Sequence, residues 1–454
     1  MSIDKLISEI SSYVWGYPLL LIVIGGGLYL LIVSRFIPFK YFFHAIDIIR
    51  GKFDDKKSDG EISHFQALST ALSATIGMGN IAGVAVAISI GGPGAIFWMW
   101  ISAIIGMSTK FFTSALAVMY RGDDSSGIKQ GGPMYFILEG LGRKWMPLAI
   151  FFSFCGMIGA LPVFNVNQLT SAINKIGLKS VGIQDDFMVN AIIGLALVIL
   201  TSAVILGGLK RIAYYASKVV PLMVIVYFIS VILILFINHN NVIESFKLIF
   251  MDAFSGDYFK GDPVLGGALG AFIIYGVRRG VFSNEAGVGM APMAHGAAKT
   301  NNPIKEGLVA MLGPAIDTLI VCTLTALAIL STNVWVNNDD LEGIMLTAKA
   351  FEYSLGVYGN YIILICAFFF SISSLFSYSY YGTKCLSFLV GEKNKKKYNY
   401  IYIFSIMVGA TTSISAMLNL IDTFFALMAV PTMVATLILA PKVLKKLNKY
   451  EING

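Results

Sequence analysis

Charge is scarce in this 454-residue chain: 13% of its residues are Asp, Glu, Lys or Arg, about half the soluble-protein share, against 56% apolar residues. That excludes a soluble domain, and the mean hydropathy of +0.75 agrees. The alternating runs of about ten residues that build a membrane barrel are missing too. Cysteine is rare: Cys155, Cys322, Cys366 and Cys385 have no CxxC or CxH spacing and lie in or beside apolar runs, so they read as packing residues. The histidines, His44, His64, His239 and His295, stand at the ends of apolar runs, too dispersed for a metal site. No GxxxxGK[ST] loop, HExxH or GxSxG occurs, which argues against a nucleotide-driven pump and against a membrane enzyme. The net charge of +7 carries no nucleic-acid reading in such a chain, because the placement of Lys and Arg matters more than their sum. The first ten residues balance acids with bases, and no small-residue cleavage site follows, so the N-terminus is expected to be retained.

What is present is a series of apolar blocks of roughly twenty residues, enough for a helix to cross ~30 Å of hydrocarbon. The expected fold class is all-α, a polytopic membrane protein with about 11 transmembrane helices. Spans are placed near 14–35, 64–90, 93–120, 145–174, 187–207, 211–237, 264–298, 304–331, 357–382, 397–419 and 421–441. Residues 133–142 are too short to cross and read as a helix at or dipping into the surface, as does 345–356. Lys and Arg divide 24 to six between the two faces, with Lys110, Arg278 and Arg279 left inside spans. The denser face includes Lys56, Lys57, Lys395 and Lys446, the sparser one Lys260. The positive-inside rule puts the N-terminus outside and the C-terminus in the cytoplasm, in the cell (inner) membrane.

The second and seventh spans are interrupted where a plain crossing stays apolar. Gly77, Gly79 and Asn80 stand near the middle of the second; the seventh holds Gly276, Arg278, Arg279, Gly280, Ser283, Asn284, Glu285, Gly287 and Gly289. The two are five crossings apart and therefore run in opposite directions, as an inverted five-plus-five repeat with a broken first helix in each half requires. The chain then divides into an extra helix and loop (1–63), two five-helix repeats (64–237 and 264–441) and a basic tail (442–454). A helix broken inside a bilayer exposes N–H groups that attract an anion and carbonyls that attract a cation. A zwitterionic amino acid accompanied by Na⁺ uses both ends. The bland alternative is that these glycines only allow close packing, as Gly25–Gly27 do in the first span.

Several stretches resemble one known family: ALSATIGMGNIAGVAVAISIGGPGAIFWMWISAIIGMSTKFFTSALAVMYR at 71–121, GGPMYFI at 131–137, RGVFSNEAGVGMAPMAHGAAKT at 279–300, IDTLIVCTLTAL at 316–327 and SYSYYG at 377–382. These are similar to the alanine or glycine:cation symporters. The resemblance implies Na⁺- or H⁺-coupled uptake of a small neutral amino acid, on the inverted-repeat fold of the bacterial leucine transporter, with no other cofactor and a functional monomer in the bilayer. It implies a substrate site around Thr75, Gly77, Met78, Gly79, Asn80, Asn165, Asn167, Gly276, Gly280, Ser283, Asn284, Ser374 and Tyr378. It also implies a Na⁺ site from Ser73, Ile76, Asn80, Ser373 and Ser374, whose oxygens suit a hard cation. Met78, Phe164-Asn165-Val166-Asn167 and Tyr378 depart from the family's common GTGN, V-Q-A-N and tryptophan, at positions that would face the substrate.

Polar residues inside the other spans have two readings each. Ser371, Ser374, Tyr378 and Tyr381 share one face of the ninth span, either lining the bundle interior or bonding locally and filling gaps. Asp317 and Arg278 lie ~20 Å into their spans at 1.5 Å per residue, so a mutual pair of Asp317 with Arg278 or Arg279 is expected. The functional alternative makes Asp317 a proton or cation relay. Lys110 and Glu285 are expected nearer the cytoplasmic surface, served by water or snorkelling. A polytopic enzyme and a passive channel are the competing function classes; product formation without a gradient, or unsaturable flux without a coupling ion, would identify them.

Overall fold

A backbone N–H inside hydrocarbon has only another backbone group to bond, so the apolar runs coil into helices. The computed structural model describes residues 3–53, 58–260, 267–336, 341, 343–412 and 415–450. Lys56, Lys57, residues 264–266 of the expected seventh span and the end of the basic tail lie outside these. Eight described helices are long and apolar enough to cross a membrane: Glu9–Val33, Ala95–Met119, Arg143–Gly177, Phe187–Ile205, Gly208–Ile237, Pro303–Ser331, Val357–Val390 and Met417–Leu447. The pair His64–Thr75 and Gly79–Gly91, bent by 53°, makes a ninth. Gly267–Asn284 and Lys395–Thr411 stand where the seventh and tenth spans are expected but fall outside that set. The first carries Arg278, Arg279 and Asn284, and the second is 17 residues long. Taken in chain order these eleven helical segments are called the first to the eleventh.

The tenth segment stops at Thr411 because Thr412 turns extended (φ −126°, ψ 140°), and the eleventh runs on to Leu447. Pro133–Leu141 forms the expected short helix, with Pro133 to Ile137 buried in protein; Ile344–Leu355 forms the other. The one sheet among the described residues is a two-residue pairing of Gly122–Asp123 with Lys129–Gln130.

The second segment starts on a capping box: Ser63 Oγ accepts from the Gln66 N–H at 3.2 Å, and Gln66 Oε1 accepts from the Ser63 N–H at 3.0 Å. Its helix ends at Ile76, whose ψ of 88° leaves the helical region, and resumes at Gly79. The second and seventh segments run antiparallel. Ile62 bridges Ala298, Asn80 reaches Ser283 at 3.4 Å, and a Cβ placed on Gly91 would stand 2.9 Å from the Tyr275 ring. One number rises as the other falls, as an inverted repeat demands. The seventh breaks in turn after Asn284: Glu285 has φ 55°, Gly287 φ 86° and Gly289 φ 104°, and a helix re-forms at Ala291–His295. Left-handed backbone suits the two glycines; Glu285 adopts it at a cost of about 1 kcal/mol or more.

Candidate functional site

Asn80 organises the break in the second segment. Its Oδ1 accepts the Gly77 N–H at 2.9 Å, while its Nδ2 donates to Asp317 Oδ1 at 2.7 Å and lies 3.2 Å from the Asp317 carbonyl. Its own carbonyl accepts from Thr325 Oγ1 at 2.7 Å, and that of Ile81 from Thr347 Oγ1 at 3.1 Å. Backbone groups freed by the break are thus met by side chains of the eighth segment and of Ile344–Leu355, satisfying inside the protein what lipid could not.

Asp317 is buried with 0% exposure. Besides Asn80 it accepts from Ser283 Oγ at 2.9 Å and Thr318 Oγ1 at 2.7 Å, both on Oδ2. A carboxylate, an amide and two hydroxyls from three segments converge there. Asn284 turns to Thr318 Oγ1 at 3.3 Å and accepts the Ala286 N–H at 3.0 Å, which shapes the second break.

The ninth segment closes on the other flank. Ser373 Oγ donates toward the Ser73 carbonyl at 3.4 Å and Ser374 Oγ toward that of Ala74 at 3.3 Å; both hydroxyls lie 3.0 Å from the Phe370 carbonyl. Ser73 Oγ also bonds Ser377 Oγ. Gly77 permits this approach, since a Cβ there would stand 2.5 Å from Ser374 Oγ. Carbonyls and hydroxyls of two segments are therefore gathered within one small volume, with the Met223 sulfur 3.5 Å from Ser373 Oγ at its edge.

Beside these groups lies a cavity of ≈ 50 Å³ lined by Thr75, Gly77, Gly79, Asn165, Ser283 and Tyr378 among others, with Phe164, Phe282, Phe425 and Asp422 completing its wall. A wider vestibule of ≈ 600 Å³ adjoins it, reached by Asn167 and Arg279 and also lined by Phe164 and Asp422. Those two side chains belong to both spaces and so partition them.

The family model described as the sodium:alanine symporter family matches residues 1–453. The chain belongs to that family. Among similar proteins are the sodium/alanine symporter AgcS of Methanococcus maripaludis, 39% identical over 99% of this chain and 98% of its own length, and the probable sodium/glutamine symporter GlnT of Bacillus subtilis, 32% identical over 99% and 91%. The crystal structure of MhsT in complex with L-phenylalanine superposes with a TM-score of 0.53 at 13% identity, covering 84% of this chain and 89% of that one, and shares its fold. Family and relatives are transporters, and the sodium named for the family makes Na⁺ its coupling ion.

Within this symporter some expected positions are placed otherwise. Asp317 is not paired with an arginine: neither Arg278 nor Arg279 has a carboxylate within salt-bridge reach among the described residues. Arg278 lies over the Trp15 ring at 5.1 Å, and Arg279 bonds Tyr275 Oη at 3.0 Å. Depth along a helix is the same for both, but Asp317 faces the second segment while the arginines face Trp15 and the vestibule. Met78 is fully buried and absent from the cavity wall. Gly276 and Gly280 serve packing, since Cβ atoms there would stand 2.6 Å from the Ala95 carbonyl and 2.8 Å from Ser102 Oγ. Lys110 and Glu285, each 2% exposed, are buried in protein and not served by surface water; Tyr378 Oη donates to Glu285 Oε1 at 2.5 Å. Asp422 was not anticipated, although a lone acid in an apolar run is the signal that finds such residues. The Phe370 carbonyl and Thr318 left no trace in side-chain pattern.

Proposed function

We propose that the protein couples Na⁺ entry to uptake of a small neutral amino acid by alternating access, the substrate occupying the cavity beside the break in the second segment. The observation that carries this is the junction itself: the start of a half-helix, a small cavity and two oxygen-rich contacts beside one break. Gly77 N–H is engaged by Asn80 and Asn80 N–H by the Gly77 carbonyl at 3.1 Å, so the substrate carboxylate is drawn to the start of Gly79–Gly91 at Gly79, which lines the cavity. Asn165, Ser283 and Tyr378 line the same space and would orient the rest of the molecule. The cavity's size favours alanine, glycine or serine, and the relatives named for alanine and glutamine support an amino acid of this class.

Two seats suit the cation. One lies between the Ser73, Ala74 and Phe370 carbonyls and the Ser373 and Ser374 hydroxyls, with the Ile76 carbonyl proposed beside them; the other is the anionic group of Asp317, Ser283 and Thr318, which Asn80 orients through its amide nitrogen. In the second seat an ionised carboxylate inside the bundle would be stabilised by the ion that it helps to carry. Asp317 could instead take the proton if H⁺ drives the cycle.

The same reading holds eleven crossings, two inverted five-helix repeats over 64–237 and 264–441, a functional monomer, and a cytoplasmic C-terminus, supported by the 24-to-six division of basic residues. Liposome uptake of labelled alanine, glycine, serine and glutamine, with Na⁺ and H⁺ gradients imposed separately, tests it. Gradient-driven, saturable accumulation of one of these is the expected result; equilibration alone, or no entry, would refute it.

A further inference from the structure

Three elements meet at Glu306, on the far side of the break from the vestibule. His64 is the first residue of the second segment, His295 the last of the short helix Ala291–His295, and Glu306 lies in the first turn of the eighth segment. His64 Nδ1 bonds one carboxylate oxygen, and His295 Nδ1 bonds the other at 2.5 Å. Exposure is 3% for His64 and 0% for the other two. His295 Nε2 is buried without a hydrogen-bond partner among the described residues.

Around this cluster the start of the second segment is stitched to the end of the seventh. Glu61 N–H donates to the Ala297 carbonyl at 2.8 Å and Lys299 N–H to that of Ile62 at 2.7 Å. Arg121 donates to the carbonyls of Gly296 at 2.8 Å, Thr300 at 2.9 Å, Asp59 at 3.3 Å and Ala298. The break at Ile76–Met78 leaves His64–Thr75 joined to the rest of its segment by a hinge, so these contacts hold the end remote from the break while the ninth segment holds the end beside it.

The charge of the cluster is unbalanced unless it holds an extra proton. An ionised Glu306 between two neutral imidazoles carries one buried negative charge, which is expensive away from water; one added proton cancels it. Among the described residues no Lys or Arg forms a salt bridge with the carboxylate. Arg121 is spent on four carbonyls and acts on Glu306 only at longer range, with Asp59 as its other acidic neighbour, while Glu61 neighbours Lys384. Lys384 is turned to the Met293 carbonyl at 3.1 Å and Tyr380 Oη at 2.9 Å. Lys305 lies over the Phe53 ring, Lys299 is exposed, and His44 bonds Tyr450 Oη at 2.7 Å.

We propose that His64, Glu306 and His295 form a proton-binding latch that shuts the end of the second segment remote from the vestibule. The shut arrangement holds one proton more than the open one, in which water reaches all three side chains. Acid on that face keeps the latch closed, and loss of the proton as pH rises releases His64–Thr75. The transport reading enters only through the consequence that pH on this face sets the rate of opening.

Hydrogen exchange read by mass spectrometry on the purified full chain tests the latch without any substrate. Protection of residues 60–70, corrected for the base-catalysed intrinsic rate, should fall between about pH 6 and about pH 8, by up to ~100-fold for one fully linked proton. That fall should vanish in Glu306→Gln and in the double variant His64→Asn/His295→Asn, whose amides keep a donor near each Nδ1 but do not titrate. It should persist in His44→Asn. Should Glu306→Gln fail to fold, the double variant carries the comparison. Equal protection at both pH values in the parent protein would overturn the latch and leave Arg121 as sufficient counter-charge; so would an unchanged fall in the double variant. Alanine uptake measured in parallel separates the two readings: a pH-sensitive latch in a protein that does not accumulate alanine supports the latch and counts against that substrate.

Discussion

Asn80 Nδ2 lies 2.7 Å from Asp317 Oδ1, the shortest of the side-chain amide contacts that join the break of the second segment to the eighth. Through it, the amide that closes the Gly77 N–H is oriented by a buried carboxylate, so the proposed substrate seat and the proposed cation seat share a side chain. Replacing Asp317 by Asn removes the charge while keeping the shape. The Na⁺ concentration for half-maximal uptake should rise at least about tenfold, the equivalent of ~1.4 kcal/mol, with protein still in the membrane. An unchanged Na⁺ dependence would remove Asp317 from the cation seat.

On the opposite flank Ser373 and Ser374 offer hydroxyls beside the carbonyls of Ser73, Ala74 and Phe370. The double variant Ser373→Ala/Ser374→Ala should also raise the Na⁺ requirement, and by less than Asp317→Asn, because neutral ligands are lost and the carbonyls remain. Titrating uptake against Na⁺ in both variants ranks the two seats; the reverse order would put the main seat between the second and ninth segments.

Gly77 and Gly83 are both glycines of the second segment with opposite surroundings. A Cβ on Gly77 would press on Ser374 Oγ at 2.5 Å, whereas one on Gly83 has nothing within 4 Å. Gly77→Ala should cut uptake at least about tenfold by prising the ninth segment away, while Gly83→Ala, in a helix interior, should be neutral or stabilise by up to ~1 kcal/mol. Uptake rates and thermal unfolding in detergent decide it, and equal behaviour of the two variants would refute the close approach.

Substrate choice should respond to Tyr378 and not to Met78. Tyr378 lines the cavity, and its hydroxyl holds Glu285; Met78 points elsewhere. Tyr378→Trp should shift the alanine-to-glycine uptake ratio on the scale of a misplaced pocket group, ~1–3 kcal/mol or roughly 10- to 200-fold. Met78→Thr should leave the ranking as it is. Tyr378→Phe strands a buried carboxylate oxygen and should lower stability by about 1–3 kcal/mol. Competition assays giving Met78→Thr the larger effect would count against this cavity as the pocket.

Sidedness is checked by single cysteines in place of Lys395, Lys446 and Lys260. An impermeant thiol reagent should reach the first two only from the cytoplasm and the third only from outside. Reaction of Lys395→Cys and Lys260→Cys from one face would break the count of eleven crossings.

The break in the second segment was legible in the sequence because an asparagine beside two glycines inside an apolar run adds a polar amide that close packing does not need, and Gly77, Gly79 and Asn80 stand at the interruption seen. Depth was legible as well, since rise per residue is fixed. Azimuth was not. Asp317 and Arg278 share a depth and face different neighbours, and Gly276 and Gly280 face the third segment instead of the cavity. Long-range convergence was invisible for the same reason: His64 and His295 are 231 positions apart in the chain and meet on one carboxylate. Backbone ligands such as the Phe370 carbonyl have no residue signature at all.

The wall that Phe164 and Asp422 form between cavity and vestibule is made of side chains, whereas the other side is closed by a whole half-helix held through backbone bonds. Side-chain rotamer changes are faster than the microsecond-to-millisecond motions of whole helices. The two faces therefore run on separate clocks. If the substrate occupies the cavity as proposed, it should exchange with the vestibule many times for each passage through the membrane, which would keep the site near equilibrium with one compartment while metering delivery to the other.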